Sequence, residues 1–511
     1  FLTCGWTTCS TDVGHSLKSS PKKEYQIWIP DLESPMSLVV PTETSRLCFG
    51  MLVEQGSQVI NGTLTPVNRP GVTFSVQGFT PETQGYNASK CGNTGIENLI
   101  PGIVNPQESA YFRDIIYHYE YMGLRAGLTY QAMPYDFRVN SGNDLASKGF
   151  GQLVKNMKLF TNKKVVVAGH SMGNNKIVYG LWNMNQQDKD NNIAMYIAMA
   201  PPYLGAPKVI NYLTCGDSGF FFIDFGIDMR TFKLSVGTFF SVYELAPSRT
   251  YMTEAGTPWM NRIHARMAYE AGQSSDPVYP FLPSKDLICY PKFTYGKNCT
   301  SGLQVFDNYA NYFGLEVNNA NYRQWVTNYT FANNSANIWK VLDSRFESLP
   351  NPGVPLSVFY STVVGTIGVF NYKVNPLNIS QQNKYCTRQE APWYDWLGDG
   401  TVPSTSAVTA ALKWIDEYNN GTAGAKPVKL FDICSEVNVN TNPYDGKDSS
   451  GMKIFNNVSY TGVPCDCAQG KIRHCSHEGM LALPQLIHLI QEIVNNNQVS
   501  TVSPMVQSMS E

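Results

Sequence analysis

The sequence predicts an α/β fold built on a mostly parallel sheet, and three observations carry that reading. Short, fully apolar runs such as Val165-Val166-Val167-Ala168-Gly169 and 193–200 (IAMYIAMA) have the composition of strands buried on both faces. Longer amphipathic stretches, at 108–123 and 144–161, have the period of helices. The two kinds alternate along the chain, which places crossover helices between parallel strands.

In chain order, residues 1–60 mix polar stretches with apolar islands, Ile27-Trp28-Ile29 and Leu38-Val39-Val40. Residues 72–77 (VTFSVQ) read as a strand ending at Gly78. Residues 108–123 read as a helix closing on Gly123, because glycine tolerates the left-handed conformation that ends helices. A strand is expected at 128–132, stopped by Pro134, and a second helix at 144–161. The strand at 165–169 leads into a helix-like run from Asn174 to Met184, followed by the strand at 193–200. Residues 216–350 lose the alternation, become rich in aromatics and Asn, and read as an inserted cap. The pattern returns at 354–360 and runs to a final helix at about 479–494. These boundaries divide the chain into a lid-like segment (1–60), a first core part (61–215), the cap (216–350), a second core part (351–494) and a polar tail (495–511). No repeat of 20–50 residues is present.

The 511 residues suffice for a large core, and 43% apolar against 15% charged residues fits a globular chain. A net charge of −2 gives no reason to expect nucleic acid as a partner. The longest apolar stretch, 354–370, is broken by Gly365 and Gly368 and is too short to span a bilayer. The twelve cysteines are an even number, and Asn61, Asn87, Asn298, Asn328, Asn333, Asn378, Asn420 and Asn457 each open an N-glycosylation sequon. Together these point to a secreted protein, or one in the lumen of a secretory or lysosome-like organelle. Cys465, Cys467 and Cys475 read as a small disulfide-tied loop, since zinc would need a second matching pair of ligands. No metal and no cofactor is expected.

The strongest local signal is Gly169-His170-Ser171-Met172-Gly173, between an apolar strand and a helix. A serine there sits on a strained strand-to-helix turn, and the flanking glycines remove side chains that would collide. The helix directs its first amides toward a developing oxyanion. This is the nucleophile elbow of α/β-hydrolases. A base and an orienting carboxylate should follow in the order Ser, Asp or Glu, His. His264 falls in the cap and His488 within the last helix, leaving His474 and His477 in the loop before that helix. Among the carboxylates Asp399 stands out, because Gly398 and Gly400 make a tight turn around it.

These residues resemble the lecithin:cholesterol acyltransferase and lysosomal phospholipase A2 family. Gly71-Val72 to Gly78-Phe79 resembles its strand ending in P-G-F-G, with Gln77 for Pro. Met133-Pro134-Tyr135-Asp136-Phe137-Arg138 resembles A-P-Y-D-W-R, and Gly169 to Asn174 resembles the H-S-M-G-N elbow. Ala200 to Gly205 resembles G-A-P-W-G-G, and Gly398 to Val402 its catalytic-Asp turn. Ser476-His477-Glu478-Gly479-Met480 resembles its catalytic-His stretch, which selects His477 over His474.

The resemblance implies an α/β-hydrolase with a cap and a small lid and membrane-binding segment. It implies an acyl-enzyme phospholipase or acyltransferase with Ser171 as nucleophile, His477 as base, Asp399 as its orienting partner and the Met172 N–H as an oxyanion donor. It implies a lid disulfide flanked here by Cys9 and Cys48, with Cys4 in competition. The family's second disulfide has no counterpart, since no cysteine stands near Phe359 or Ala410. Trp28, Val39 and Val40 fall in the membrane-facing segment, so a phospholipid membrane or lipoprotein surface, met peripherally, is the implied partner. A second oxyanion amide should come from a loop ahead of the lid. No apolar strand leading into such a loop precedes the lid-like stretch, so a companion N-terminal chain from the same precursor is expected; Gly78-Phe79 is the alternative donor. The competing readings are a general carboxylesterase or neutral lipase, and a non-catalytic glycoprotein that keeps the fold.

Overall fold

The computed structural model describes residues 2–4, 23–25, 55–60, 63–68, 72–74, 79–80, 85–86, 111–125, 129–215, 236–248, 288–291, 297–300, 343–362, 364–367, 370–371, 395–433, 458–463 and 475–498. The fold is of the α/β-hydrolase type, with a mostly parallel central sheet. Its strands are β1 (Val165–His170), β2 (Ile193–Met199), β3 (Leu356–Ser361), β6 (Val428–Ile433) and β7 (Ser459–Val463). Between β3 and β6 lies an antiparallel pair, β4 (Val364–Ile367) with β5 (Asp395–Gly398). The sheet order is β7-β6-β3-β2-β1, every neighbouring pair parallel. Among the described residues β1 is paired on one side only.

Among the described residues, the helices of five or more residues around the sheet are α1 (Arg113–Tyr121), α2 (Leu145–Thr161), α3 (Gly173–Trp182), α4 (Gln186–Asn192), α5 (Lys208–Cys215), α6 (Phe240–Glu244), α7 (Ser404–Asn419) and α8 (Pro484–Gln498). The two-residue period of β3 explains the layering. Leu356, Val358 and Tyr360 face a core that includes Phe150 of α2, Leu181 of α3 and Trp414 of α7. Phe359 faces the other way, into a core with Ile115 of α1 and Leu486 and Ile490 of α8. There Phe359 stacks on Phe431 of β6, ring centroids 4.6 Å apart. Each such fully buried apolar side chain stabilises the fold by about 1.5–3 kcal/mol.

Helix ends follow local chemistry. Asp144 caps α2 by accepting the Ser147 N–H at 2.8 Å. Gly123, at φ +83°, follows α1 as expected. The strands expected at 165–169, 193–200 and 354–360 are present with ends shifted by one or two residues.

Three expectations need correction. Residues 129–132 form no continuous strand: Tyr130 makes an isolated bridge, the Thr129 and Tyr130 N–H groups both donate to the Arg125 carbonyl, and Thr129 Oγ1 accepts the Arg125 N–H at 2.7 Å. Local bonds of this kind compete with a strand ladder. The strand expected at 72–77 is Val72–Phe74, and it pairs with Leu2–Cys4 in a small separate sheet with Lys23–Tyr25. The last helix begins at Pro484 rather than 479. Proline at the first helical position loses no bond, but it holds Leu483 extended, so 479–482 form a separate 3-10 turn.

Trp28, Val39, Val40, Cys9, Cys48, Asn61, Asn87, Asn328, Asn333, Asn378 and Asn457 lie outside the described residues. Asn298 lies on the strand Lys297–Thr300. Asn420 is exposed at the C-terminus of α7. Residues 236–248, from the stretch read as cap, pack into the core: Ala206 N–H donates to Leu245 O at 2.8 Å and Ser248 N–H to Leu204 O at 2.9 Å.

Candidate active site

Ser171 stands between β1 and α3 at φ +52°, in the left-handed region that costs a non-glycine residue roughly 1–2 kcal/mol. Its N–H donates to the Met199 carbonyl at the end of β2, 3.0 Å away. Asn174 braces the same turn. Its amide nitrogen donates to the carbonyls of Ser171 (3.0 Å) and Met199 (2.9 Å), and its Oδ1 accepts the Tyr196 hydroxyl at 2.7 Å. Both braces are buried.

The two glycines of the elbow differ. A Cβ on Gly169 would lie 2.6 Å from Ile177 Cδ1 and 2.7 Å from Asn174 Oδ1, so a side chain there would have to displace Asn174, which its three hydrogen bonds hold in place. A Cβ on Gly173 would only touch the Tyr135 ring at 3.8 Å. The expectation that both remove a collision within the turn holds for Gly169 alone. Met172 precedes α3, and its N–H is given to no backbone acceptor among the described residues.

Asp399 follows β5. A side chain at Gly398 would meet Thr366 Oγ1 at 2.4 Å and the Val402 carbonyl at 2.5 Å, and Gly400 takes φ +91°. The Gly400 N–H donates to Thr366 Oγ1 at 2.8 Å. Asp399 Oδ1 accepts the N–H groups of Thr401 (2.9 Å) and Val402 (2.7 Å), which fixes the carboxylate while leaving Oδ2 free to face the next residue.

That residue is His477. Its Nδ1 lies 2.7 Å from Asp399 Oδ2 and its Nε2 lies 2.7 Å from Ser171 Oγ. Asp399 and His477 are 2% and 5% exposed, so little water competes for these bonds. A neutral His477 therefore carries its proton on Nδ1, and its Nε2 lone pair faces the Ser171 hydroxyl. Burial lowers the His477 pKa, but the Asp399 charge and hydrogen bond outweigh it, and the net shift is upward. Chemically, the arrangement can take a proton from Ser171 Oγ and return it to a leaving group.

His488 is elsewhere: it is exposed on α8, with Glu492 Oε1 3.4 Å away. His264 and His474 lie outside the described residues. Cys475, two residues before His477, is buried and disulfide-bonded. In the stretch 133–138, Arg138 is fully buried and pairs with Asp136 at 2.8 Å. Among the described residues no group of three or more His, Cys, Asp or Glu could hold a metal ion. No helix among them is long and apolar enough to cross a membrane.

The sequence did not reveal His170 and Tyr111. His170 Nδ1 lies 2.6 Å from the Tyr111 hydroxyl, and its Nε2 lies 2.8 Å from the His477 carbonyl. Only the position of His170 beside the serine could have signalled it.

The model of the lecithin:cholesterol acyltransferase family matches residues 49–441. A phosphatidylcholine-sterol acyltransferase of Gallus gallus is 29% identical over 154 residues, 30% of this chain and 33% of the relative. A lysosomal phospholipase A and acyltransferase of Bos taurus is 26% identical over 136 residues, 24% of this chain and 33% of the relative. The chain thus spans about a third of the length of these relatives. Among solved structures, one titled "The crystal structure of Tle4-Tli4 complex" aligns over 92% of this chain and 93% of that one, at a TM-score of 0.42 and 12% identity. With the family's model matched from residue 49 to residue 441, the chain belongs to the lecithin:cholesterol acyltransferase family.

Proposed function

We propose that this chain cleaves an acyl ester of glycerophospholipids through an acyl-enzyme on Ser171, and passes the acyl group to water or to a lipid alcohol such as a sterol. The observation that carries the reading is the run of two 2.7 Å contacts, Ser171 Oγ to His477 Nε2 and His477 Nδ1 to Asp399 Oδ2. The names of the relatives, one a phosphatidylcholine-sterol acyltransferase and one a lysosomal phospholipase A and acyltransferase, support the choice of substrate class.

In this mechanism Ser171 Oγ attacks the ester carbonyl as its proton moves to His477 Nε2. The charge on the former carbonyl oxygen turns to the Met172 N–H. The tetrahedral species then expels the lysophospholipid oxygen, which takes the proton from His477. Water or an alcohol repeats the sequence in the other direction: its proton goes to His477 and its oxygen displaces Ser171 Oγ. Asp399 stabilises the imidazolium at each stage and accepts no proton itself. No cofactor or metal enters these steps.

A second oxyanion amide belongs to the reading, with a companion N-terminal chain as one proposed source and Gly78-Phe79 as the other. A phospholipid surface is the other partner, met through the region of Trp28, Val39 and Val40. The eight sequons and the disulfide at Cys475 support a secreted or luminal location.

Product analysis on defined phosphatidylcholine vesicles, with and without sterol, tests the proposal. Free fatty acid and lysophospholipid are expected, with sterol ester when the acceptor is a sterol. Ser171→Ala should lose on the order of 10⁶ in kcat while staying folded. Turnover of dispersed short-chain esters with none of phospholipid would favour the general esterase instead. Wild-type-like activity in Ser171→Ala would remove the mechanism altogether.

A further inference from the structure

His170 is the residue before the nucleophile, and it is buried at 4% exposure. Its side chain reaches across to the loop that carries the base, 307 positions later in the chain. The chemistry of its two contacts fixes its state. The His477 carbonyl 2.8 Å from Nε2 can only accept, so Nε2 carries the proton. Nδ1 is then an acceptor, and the Tyr111 hydroxyl at 2.6 Å is its donor. The result is a directed relay, Tyr111 O–H to His170 Nδ1, and His170 Nε2–H to His477 C=O.

The relay gives His477 a second hold beside that of Asp399. The His477 N–H is held by the Asp399 carbonyl at 2.8 Å, its C=O by His170, and its ring by Asp399 Oδ2. The ring of His170 also lies against that of His477, centroids 4.7 Å apart. Tyr111 and Phe112 meet the His170 ring edge-on, at 5.3 and 6.3 Å. Because His170 ends β1 and Ser171 follows it directly, a bond from His170 to the base loop registers that loop against the nucleophile.

We propose that His170, oriented by Tyr111, is a positioning residue that sets the His477 imidazole at hydrogen-bonding distance from Ser171 Oγ. This rests on the reading of Ser171, His477 and Asp399 as the catalytic groups. Burial, and then the neighbouring His477, drive the His170 pKa well down, although its bond to the His477 carbonyl opposes this. His170 thus stays neutral when His477 becomes cationic, and the two rings do not repel at the moment of proton transfer.

The test uses the full chain with a soluble short-chain nitrophenyl ester and a fluorophosphonate probe. His170→Leu removes both hydrogen bonds. It should lower kcat on the order of 10²-fold, the cost of misplacing a reacting group by about 1 Å, with KM nearly unchanged. The acid limb of its pH profile should move down, because a loosened His477 loses part of its bond to Asp399. The groups that set this limb are Asp399, Glu478, Lys208 and His170. A merely smaller folded fraction would scale kcat without moving the limb. His170→Gln keeps a donor for the His477 carbonyl and an acceptor for Tyr111, and should recover most of the rate. Tyr111→Phe frees the tautomer and should fall between wild type and His170→Leu, which carries the test if the leucine variant fails to fold.

Wild-type kcat and an unmoved limb in His170→Leu, or in Tyr111→Phe if the leucine variant is unfolded, would overturn the inference. So would a glutamine variant as slow as the leucine one. Failure of the wild type to label at Ser171 would instead overturn the reading of the site.

Discussion

His477 is bound to Asp399 twice: its N–H donates to the Asp399 carbonyl at 2.8 Å, and its Nδ1 donates to Asp399 Oδ2 at 2.7 Å. Backbone and ring are thus registered on the same residue, and Asp399 is itself held by the N–H groups of Thr401 and Val402. The orientation of the base follows from the turn at 398–402.

Asp399→Asn separates that registration from the carboxylate's charge. The backbone bond stays, and an amide oxygen can still accept from Thr401 and Val402. The amide nitrogen then faces His477 Nδ1 and favours the wrong tautomer, with the proton on Nε2. We expect kcat to fall by about 10⁴-fold with little change in melting temperature. Ester turnover and thermal unfolding of the same preparation check this. A fall below tenfold would mean that Asp399 does not set the tautomer.

The raised pKa of His477 gives a pH dependence with a definite sign. Only the neutral imidazole accepts the Ser171 proton, so kcat falls on the acid side. Its limb should lie above 6.5, the ordinary histidine value. The pair's contribution to stability runs the other way. A histidine with a raised folded pKa stabilises the fold fully below its unfolded pKa, and this is lost as pH rises through the folded value. Activity and this part of the stability therefore cross in one window above pH 6.5. Rate and melting profiles over that range should diverge; a rate limb below 6.5 would contradict the role of Asp399.

The two elbow glycines should separate in a stability measurement. Gly169→Ala forces a methyl to within 2.6 Å of Ile177 and 2.7 Å of Asn174, and Asn174 cannot yield without releasing the Ser171 carbonyl. A loss of about 1–3 kcal/mol is expected from such overpacking. Gly173→Ala meets only an ordinary contact with Tyr135. Within a helix alanine is favoured over glycine, so its stability should hold or rise by up to about 1 kcal/mol. Chemical denaturation of both variants decides, and equal losses would refute the distinction.

What the sequence made legible is what is local. The apolar β-branched run at 165–167 is the expected strand, although Val165 and Val166 are half-buried rather than covered on both faces, and Ser171 and Asp399 each announce their turns through flanking glycines. The base was half-legible: position left His474 and His477 open, and only the resemblance chose between them. The braces were not legible, because each joins distant segments. Tyr111 meets His170 across 59 positions, and Tyr196 meets Asn174 across 22. A hydroxyl or amide carries no pattern that names its partner. Of the strand expected at 128–132, the described residues 129–132 hold a single bridge at Tyr130, beside very short-range bonds to Arg125 that the pattern does not announce.

A buried ionic cluster behind α3 yields the last prediction. Lys176 is fully buried, donates through Nζ to the Val139 carbonyl, and sits 5.4 Å from the centre of the Tyr135 ring. Asp144 and Glu244 are buried in the same region, and Glu244 accepts the Ser141 N–H and hydroxyl, both at 2.6 Å. Burial raises the pKa of both acids, and Lys176 is the strongest influence opposing it. Lys176→Met fills similar volume but removes that opposition. Both folded pKa values then rise further, so the charged carboxylates become more costly in the folded state at neutral pH. Lys176 makes no direct ion pair with either acid, acting on them through space, so the loss expected at pH 7 is smaller than the about 3–5 kcal/mol of a buried pair broken from one side. The sign with pH follows from linkage: an acid whose folded pKa is raised loses stability as pH climbs from the unfolded value through the folded one. The deficit should therefore be smaller at pH 5 than at pH 7, since lowering the pH moves both carboxyls toward their protonated forms. Denaturant titrations at the two values measure it. A deficit of equal size at both would mean that Lys176 acts by packing alone, with no electrostatic hold on Glu244 and Asp144.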